Sequence, residues 1–445
     1  MKNFLKQAKS HFSKLKSSPE KFIIPVLVIG LVIRIILMPL FIHGDLAAEY
    51  WRAAQVLFNR SPQFFFKERA VPSLIHIITL WITSIFVPNV RNMFPATGIT
   101  MKYYMGLHYA KVWQNFLSQP GIYLSVFMFK LPYLIFDLIG AYSITHFFKA
   151  KKDKIRSFAL WMLNPIIIFT GYIWGRYDII LIVLTLLSFL YLYKKNYLLS
   201  LITFGLAVFT KSSVMTVAPF YLIYFLKDIK LKRHQIIGVF AGIAALFLGV
   251  DILLDLGFLD VVRGNHFQYF MQVNFATFHY TGSEVRRIYI YPALYLLLLL
   301  YYFLRDASEK ERTAEFNVLI SYILVSYLTY YILCFYHEHY FVWFVPFLIL
   351  AWKRIKNISF VFWSMAAVFL YTFMFRAAFL FSKFIPWGSG QFSWSPALES
   401  FFEGFIYRSV AHLGPTVIIV FCVYILYELI VGFEYRAKNN ALRET

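Results

Sequence analysis

Residues 22–41 read FIIPVLVIGLVIRIILMPLF, an apolar stretch interrupted by one charged side chain, Arg34. A run of about 20 apolar residues is long enough to cross the hydrocarbon core of a bilayer as an α-helix. A Lys-rich segment, residues 1–21, precedes the stretch, and no small-residue cleavage pattern follows it. We therefore expect an uncleaved first membrane span, entered from a basic cytoplasmic tail.

The composition of the whole chain agrees with this first span. The 445 residues are 60% hydrophobic, 21% aromatic and 15% charged, with a mean hydropathy of +0.63. A soluble domain carries roughly 25% charged residues, so the apolar excess predicts surface that faces lipid. The two cysteines, Cys334 and Cys422, lie within apolar runs and suggest neither a disulfide framework nor a thiolate metal site.

Further apolar runs predict an all-α, polytopic membrane protein of about twelve transmembrane helices. The sequence shows neither an internal repeat nor a flexible linker, so residues 1–445 are predicted to form a single membrane domain. After the first span, we expect the others near Ile122–Phe147, Phe158–Ile173, Ile179–Tyr193, Tyr197–Phe209, Val214–Leu226, Ile236–Leu254, Ile288–Leu304, Phe316–Phe335, Tyr340–Trp352, Ile358–Leu380 and Phe405–Val431.

The basic residues predict the orientation of these spans. The net charge is +21, but lysines and arginines cluster between apolar runs and not on one face, which argues against a nucleic-acid partner. Cytoplasmic loops are enriched in Lys and Arg, so both termini are expected in the cytoplasm of a plasma-membrane protein. The outer segments are then 43–121, with juxtamembrane helices, 257–287 and 381–404. Val71–Val87 is expected to lie flat on, or partly in, the outer leaflet, since counting it as a span would reverse every later basic cluster.

The first candidate for chemistry follows the first span, in the stretch HGDLAAEY at residues 43–50. Asp45 and Glu49 are four residues apart, so both carboxylates would share one face of a helix. An Asp after Gly is also a favoured N-cap, which is the simpler interpretation of Asp45. A carboxylate that is partly desolvated at a membrane boundary can nevertheless act as a general base.

Cations are expected at the same outer side. Arg176 and Asp178 lie in the stretch WGRYD between two predicted spans, where Asp178 could simply cap a helix. Lys211 occupies a tight turn between two apolar runs, and its alternative role is to extend outward toward water. Arg34, inside the first span, requires a partner, and a buried ion pair is its simpler interpretation.

Tyr336–Tyr340 reads YHEHY and joins two predicted spans on the outer side. His337, Glu338 and His339 are adjacent, whereas a helical zinc site needs ligands at i and i+4, so contact with phosphate or sugar fits better than a metal. A carboxylate pair with several cations suits group transfer from a phosphorylated lipid: the attacking hydroxyl needs a base and the departing phosphate needs positive charge.

At these residues the chain resembles the GT-C superfamily of membrane glycosyltransferases, most closely the prokaryotic mannosyltransferase-like proteins related to the GPI mannosyltransferases. The family usually has Gln where Arg176 stands and Arg where His339 stands. The features that carry the resemblance are Gly44-Asp45, Lys130-Leu131-Pro132 with Asp137, Asn164-Pro165, Trp174-Gly175 with Asp178, Lys211 with Pro219, and His337-Glu338 with Tyr340.

The resemblance implies an enzyme that takes a sugar from a polyprenyl-phosphate carrier on the extracytoplasmic face, with Asp45 as the catalytic base. We expect an inverting mannosyl- or other hexosyltransferase whose acceptor is a glycan, a lipid or a protein. Glu49 would orient the acceptor, and no metal is required, although a divalent cation (Mg²⁺ or Mn²⁺) at the two carboxylates is left open. The expected substrate contacts are Arg176, Asp178, Lys211, His337, Glu338, His339 and Arg287.

Two other functions fit the same sequence. One is a transporter or flippase of lipid-linked saccharides, although such proteins commonly show internal repeats. The other is an enzyme similar to O-antigen ligases and polymerases, which would use late outer-loop residues such as Arg263, His266 and His279. The sequence specifies neither the sugar, the acceptor nor the linkage.

Overall fold

The structure is a computed structural model of the chain. It describes residues 22–65, 69–94, 116–232, 234–239, 241–242, 290–305, 312–333, 338–375, 385 and 413–429. Within these ranges every regular element is a helix, which agrees with the all-α prediction.

The chain divides into two compact units, each described by itself. The first comprises Met1–Thr210 and Phe369–Ala411, and the second Lys211–Val368 and His412–Thr445. The helices of the first unit are α1 (Ile23–Leu40), α2 (Gly44–Leu57), α3 (Ala70–Phe86), α4 (Ile122–Ile144), α5 (Lys151–Met162), α6 (Pro165–Ile168), α7 (Asp178–Tyr193) and α8 (Tyr197–Val208). The second unit contains α9 (Ala218–Asp228), α10 (Ile290–Leu304), α11 (Arg312–Leu333), α12 (Val345–Leu350), most of α13 (Ile358–Phe375) and α14 (Leu413–Tyr427).

Four helical stretches in the described part of the chain are long and apolar enough to cross a membrane. They are Ile23–Leu40, Ile122–Phe147, Lys151–Trp174 and Glu315–Leu333. Shorter apolar helices are Ala70–Phe86, Asp178–Tyr193, Tyr197–Val208, Tyr291–Leu304, Ile358–Val368 and Thr416–Tyr427. The chain is thus a helical protein with several candidate membrane spans, and the number of about twelve stays a prediction.

A buried ion pair joins the first candidate span to α4. Arg34 Nε donates to Asp137 Oδ2 at 2.7 Å, and both side chains are 0% exposed. Asp137 also accepts hydrogen bonds from Trp161 Nε1 at 2.6 Å and from Tyr172 Oη at 2.6 Å. A charge inside an apolar helix is costly unless it is paired, so this pair explains how α1 carries an arginine. The simpler interpretation of Arg34 is confirmed.

The apolar run Val71–Val87 forms α3, which has two different faces. The side chains of His76, Thr79 and Thr83 are buried against the rest of the first unit. Ile78, Trp81 and other large apolar residues of α3 are exposed. Because this pattern suits a helix with one lipid-facing side, it is compatible with the predicted position on the outer leaflet, which stays a prediction.

The predicted span Tyr340–Trp352 is not one continuous α-helix. It is divided into a 3₁₀ segment Glu338–Trp343, the short helix α12 and a second 3₁₀ segment Trp352–Arg354. Proline lacks a backbone N–H and favours the first turn of a helix, so Pro346, the second residue of α12, marks a new helix and not a continuation of the preceding segment. Hydropathy alone could not show this break.

Several predicted segments lie outside the described residues. They are the tail 1–21, the outer segment 257–287, the outer segment 381–404 apart from residue 385, and most of Ile236–Leu254.

Candidate functional site

The connection between α1 and α2 is held by a lysine of α4. After α1 ends at Leu40, Phe41 is extended, and α2 begins three residues later. Lys130 Nζ donates hydrogen bonds to the backbone oxygens of Met38 at 3.1 Å, of Phe41, and of Tyr172 at 2.6 Å. The last carbonyl groups of a helix need such donors. Lys130 therefore fixes the start of α2 beside the segment that ends at Trp174.

The N-cap of α2 is His43 and not Asp45. The backbone N–H of Asp45 donates to His43 Nδ1 at 3.1 Å, and Asp45 lies within the first helical turn. The capping interpretation of Asp45 is therefore wrong, because Gly44 already belongs to the helix. His43 Nδ1 also lies 3.3 Å from Asp45 Oδ2, so the imidazole ring and the carboxylate are in contact.

The carboxylate of Asp45 lies against a turn from a distant part of the chain. Arg176 Nη1 donates to Asp45 Oδ2 at 2.6 Å, and Trp174 Nε1 donates to the same oxygen at 3.2 Å. Arg176 Nε also donates to Asp178 Oδ2 at 3.2 Å, so one guanidinium group joins two carboxylates. The side chains of Asp45 and Arg176 are 16% and 13% exposed, whereas that of Asp178 is 0% exposed.

Asp178 does not cap α7. Tyr177 occupies the N-cap position without a side-chain cap, and Asp178 is the first residue of the helix. A negative charge in the first turn of a helix is stabilised by the helix dipole. The buried carboxylate of Asp178 therefore has both the helix end and Arg176 to balance its charge.

The turn that carries Arg176 depends on a glycine. A π-helical segment, Phe169–Trp174, ends at Gly175, whose φ of +74° lies in the left-handed region that favours glycine. A Cβ at this position would also lie 2.8 Å from Leu46 Cδ2 of α2. The backbone N–H of Arg176 then donates to the oxygen of Thr170 at 2.9 Å. Close packing of this turn on α2 is what brings Arg176 to Asp45.

Glu49, one turn after Asp45 on α2, belongs to a second charged group. Arg52 Nη1 lies 2.9 Å and Arg69 Nη1 3.8 Å from Glu49 Oε1. Burial alone would raise the pKa of Glu49, but Arg52, Arg69, His76 and Arg176 together lower it below its usual value. Glu49 is therefore an ionised carboxylate at neutral pH.

Buried tyrosines and a histidine lie beside these charged groups. His76 Nε2 and Tyr133 Oη are 2.8 Å apart, and Tyr50 Oη donates to the oxygen of Phe129 at 2.7 Å. Burial raises the pKa of Tyr177 to about 12, so its hydroxyl group is neutral at physiological pH. Among the described residues, the carboxyl and guanidinium groups of this cluster are those of Asp45, Glu49, Asp178, Arg52, Arg69 and Arg176.

Lys211 and His339 belong to the second unit. Lys211 Nζ lies 4.8 Å from the ring centroids of both Tyr340 and Trp343, whose rings stack at 4.3 Å. His339 is buried, and its ring packs on Tyr340 at 4.4 Å. Lys211 is thus held over aromatic faces by cation–π interactions, which differs from the simple outward extension considered above.

The structure brings some of the predicted site residues together. Asp45, Arg176 and Asp178 form one contact group in the first unit, with Glu49 on the same helix. For Glu338 only the backbone, in the 3₁₀ segment Glu338–Trp343, is described. His337 and Arg287, together with Arg263, His266 and His279, lie outside the described residues.

Sequence reasoning did not select four residues of this region as site residues: His43, Trp174, Arg52 and Arg69. Arg52 could have been found, because Glu49 and Arg52 have the i, i+3 spacing of a helical ion pair. Nothing in the sequence marks Arg69. In the described part of the chain, no group of three or more His, Cys, Asp or Glu residues is arranged to hold a metal ion.

Comparison of the chain with protein families, with curated proteins and with solved structures found no match.

Proposed function

We propose that the chain is a glycosyltransferase that moves a sugar, mannose or another hexose, from a polyprenyl-phosphate donor to an acceptor hydroxyl group, with Asp45 as the general base. The acceptor would be a cell-surface glycan, lipid or protein. The resemblance to the GT-C superfamily suggests this activity. The observation that carries it is the contact of Asp45, directly after a candidate membrane span, with Arg176 of a distant turn. A base and a phosphate-binding cation are the two groups that such a transfer needs.

In the proposed reaction, Asp45 takes the proton of the acceptor hydroxyl group while the acceptor oxygen bonds to the anomeric carbon. The bond between that carbon and the donor phosphate oxygen breaks, and its electron pair leaves with the polyprenyl phosphate. Attack from the face opposite the leaving phosphate inverts the anomeric configuration. This scheme requires no metal ion, and a Mg²⁺ or Mn²⁺ requirement is tested by adding a chelator to the same assay.

The other residues have supporting roles in this scheme. Trp174 Nε1 donates to Asp45 and orients its carboxylate. Asp178 holds Arg176 from the other side. Glu49, fixed by Arg52 and Arg69, would orient the acceptor. Lys211, His337, Glu338, His339 and Arg287 remain proposed substrate contacts.

The proposal includes the membrane architecture expected from the sequence: about twelve spans in a plasma membrane, both termini in the cytoplasm, and Asp45 on the extracytoplasmic side. Arg60, at the end of the α2 region, is exposed. A cysteine placed at Arg60 and treated with a membrane-impermeant reagent tests on which side of the membrane this region lies. Labelling of intact cells supports it, and labelling only after the membrane is opened contradicts it.

The activity is tested with the purified full chain in proteoliposomes. The donors are polyprenyl-phosphate mannose and polyprenyl-phosphate glucose, with nucleotide sugars as the control and a panel of glycan, lipid and peptide acceptors. Loss of a general base costs roughly 100-fold to 10,000-fold in rate, so Asp45→Asn should reduce transfer by at least about 100-fold. The matched control is Asp153→Asn, which alters a carboxylate in the first turn of α5.

Three results would contradict the proposal: no transfer from any lipid donor, strict use of nucleotide sugars, or an Asp45→Asn variant as active as Asp153→Asn. Movement of labelled lipid-linked sugar across the vesicle membrane, without a new glycosidic bond, would instead indicate the flippase.

A further inference from the structure

The contact between Asp45 and Arg176 raises a chemical conflict within the proposed site. A carboxylate next to a guanidinium group is stabilised in its charged form and is therefore a weaker base. At 2.6 Å, and with both side chains largely buried, this is a charge-assisted hydrogen bond of the strong kind. Asp45 can take a proton from a hydroxyl group most readily when Nη1 of Arg176 has a negative partner other than Asp45.

Several contacts hold Arg176 in its turn, and the exchange requires a change only in the contact between Nη1 and Asp45. The backbone N–H of Arg176 is anchored on the oxygen of Thr170, and Nε is anchored on the fully buried Asp178. The guanidinium carbon also lies 5.4 Å from the ring centroid of Tyr177. Nη1 makes the contact with Asp45, which retains some solvent exposure. Because the guanidinium group is planar and rigid, it can stay on Asp178 while the partly exposed carboxylate of Asp45 moves off Nη1.

We infer that the donor phosphate displaces Asp45 from Arg176, so that binding of the lipid-linked sugar itself releases the general base. This inference rests on the proposed function and assigns its regulation to Arg176. Trp174 Nε1 would continue to orient the released carboxylate. The acceptor would then be activated only after the donor has bound, and no base would be available without a sugar to receive the attack.

The charge of the reacting group favours this exchange. The donor phosphate is a diester with one negative charge, and breaking its bond to the anomeric carbon leaves a monoester with about two charges at neutral pH. Arg176 therefore gains attraction for the phosphate as the bond breaks, which stabilises the transition state more than the bound donor. An arginine suits this role because its planar fork can hold Asp178 and a phosphate oxygen together, whereas a lysine cannot.

The exchange makes a prediction about binding that requires no catalysis. If Asp45 competes with phosphate for Arg176, removing the charge of Asp45 should tighten phosphate binding. The probe is farnesyl phosphate, and its dissociation constant is measured with the purified full chain in detergent for wild type, Asp45→Asn, Arg176→Gln and the double variant. Asp153→Asn is the matched control, since it removes the same charge from the first turn of α5, outside the proposed site.

We expect Asp45→Asn to bind farnesyl phosphate about threefold to tenfold more tightly than wild type, the range of a partly exposed to charge-assisted ion pair. Asp153→Asn should change the dissociation constant less than about twofold. In the Arg176→Gln background, Asp45→Asn should likewise have less than about a twofold effect. Inorganic phosphate, added as a competitor, should be much weaker than farnesyl phosphate if the phosphate is carried by a lipid.

Three results would overturn the inference. They are weaker or unchanged binding in Asp45→Asn, equal tightening in Asp153→Asn, and equal tightening by Asp45→Asn with and without Arg176. Competition by inorganic phosphate as strong as that by farnesyl phosphate would overturn the lipid source. The binding experiment contains no acceptor, so its result does not depend on sugar transfer. The predicted order of dissociation constants can be observed even if transfer fails, and it can be absent even if transfer occurs. The two proposals are therefore tested separately.

Discussion

Replacing Asp137 with alanine should severely destabilise the first unit, because Arg34 would keep its charge and lose its partner. Both side chains are 0% exposed, and the ion pair closes at 2.7 Å. Breaking a buried pair by removing one partner costs about 3–5 kcal/mol. The donors of Trp161 and Tyr172 would also lose their acceptor, at roughly 1 kcal/mol each. We expect a loss of at least about 4 kcal/mol, a large share of the ~5–15 kcal/mol that stabilises a typical protein.

The double variant Arg34→Met with Asp137→Leu tests whether the instability comes from the unpaired charge of Arg34 or from the substitution at position 137 itself. Replacing a buried ion pair with apolar side chains of similar volume is often neutral or stabilising, so the double variant should recover most of the loss. Unfolding is followed by tryptophan fluorescence during titration with SDS in mixed micelles, a signal to which Trp161 beside Asp137 contributes. The control Asp153→Ala removes a partly exposed carboxylate in the first turn of α5 and should cost about 1 kcal/mol or less.

This reasoning would be refuted if Asp137→Ala lost less than about 1 kcal/mol, or if the double variant were as unstable as the single one. A stable Asp137→Ala protein that had lost its activity would give Asp137 a role in catalysis instead of in packing.

Two further predictions concern the site itself. Gly175→Ala should destabilise the protein by about 1–3 kcal/mol, since alanine is strained at a φ of +74° and its Cβ would lie 2.8 Å from Leu46. The same SDS titration measures this loss. The control Gly205→Ala, with no atom within 4 Å of its Cβ, should be neutral or slightly stabilising. Because the pKa of Glu49 is lowered in the folded protein, its contribution to stability should be fully present above its ordinary pKa of about 4.3 and should be lost as the pH falls below that value. From pH 7 to pH 3, the unfolding midpoint should therefore decrease less in Glu49→Gln than in wild type. An equal decrease in the two proteins would contradict the assigned ion pairs.

The local structure of the long apolar segments could be predicted from the sequence. The first span, expected at 22–41, is the helix Ile23–Leu40, and the helix predicted to begin at Ile122 begins there. Such segments are helical because a backbone in lipid must satisfy its own hydrogen bonds, which leaves few alternatives. The irregular stretch after Glu338 was predicted less well, because proline and short 3₁₀ turns divide a run that looks uniformly apolar.

The contacts of the candidate site could be predicted only in part. The residue types at Asp45, Arg176 and Asp178 suggested charge chemistry, but Asp45 and Arg176 are 131 positions apart, and no spacing rule predicts such a contact. The cap of α2 was assigned to the wrong residue, because local preference favours aspartate whereas the backbone places His43 at that position. Arg69 joins the cluster only because α3 packs beside α2, a tertiary contact that the local sequence does not indicate.

The account depends most on Asp45 acting as a base toward a lipid-linked sugar. The most direct measurement is the single-turnover rate of transfer from radiolabelled polyprenyl-phosphate mannose, with the anomeric configuration of the product determined by NMR, for wild type and Asp45→Asn at saturating donor. We predict an inverted product and a rate at least about 100-fold lower in Asp45→Asn. A product that retains the configuration, or an Asp45→Asn rate within about threefold of wild type, would contradict the central claim.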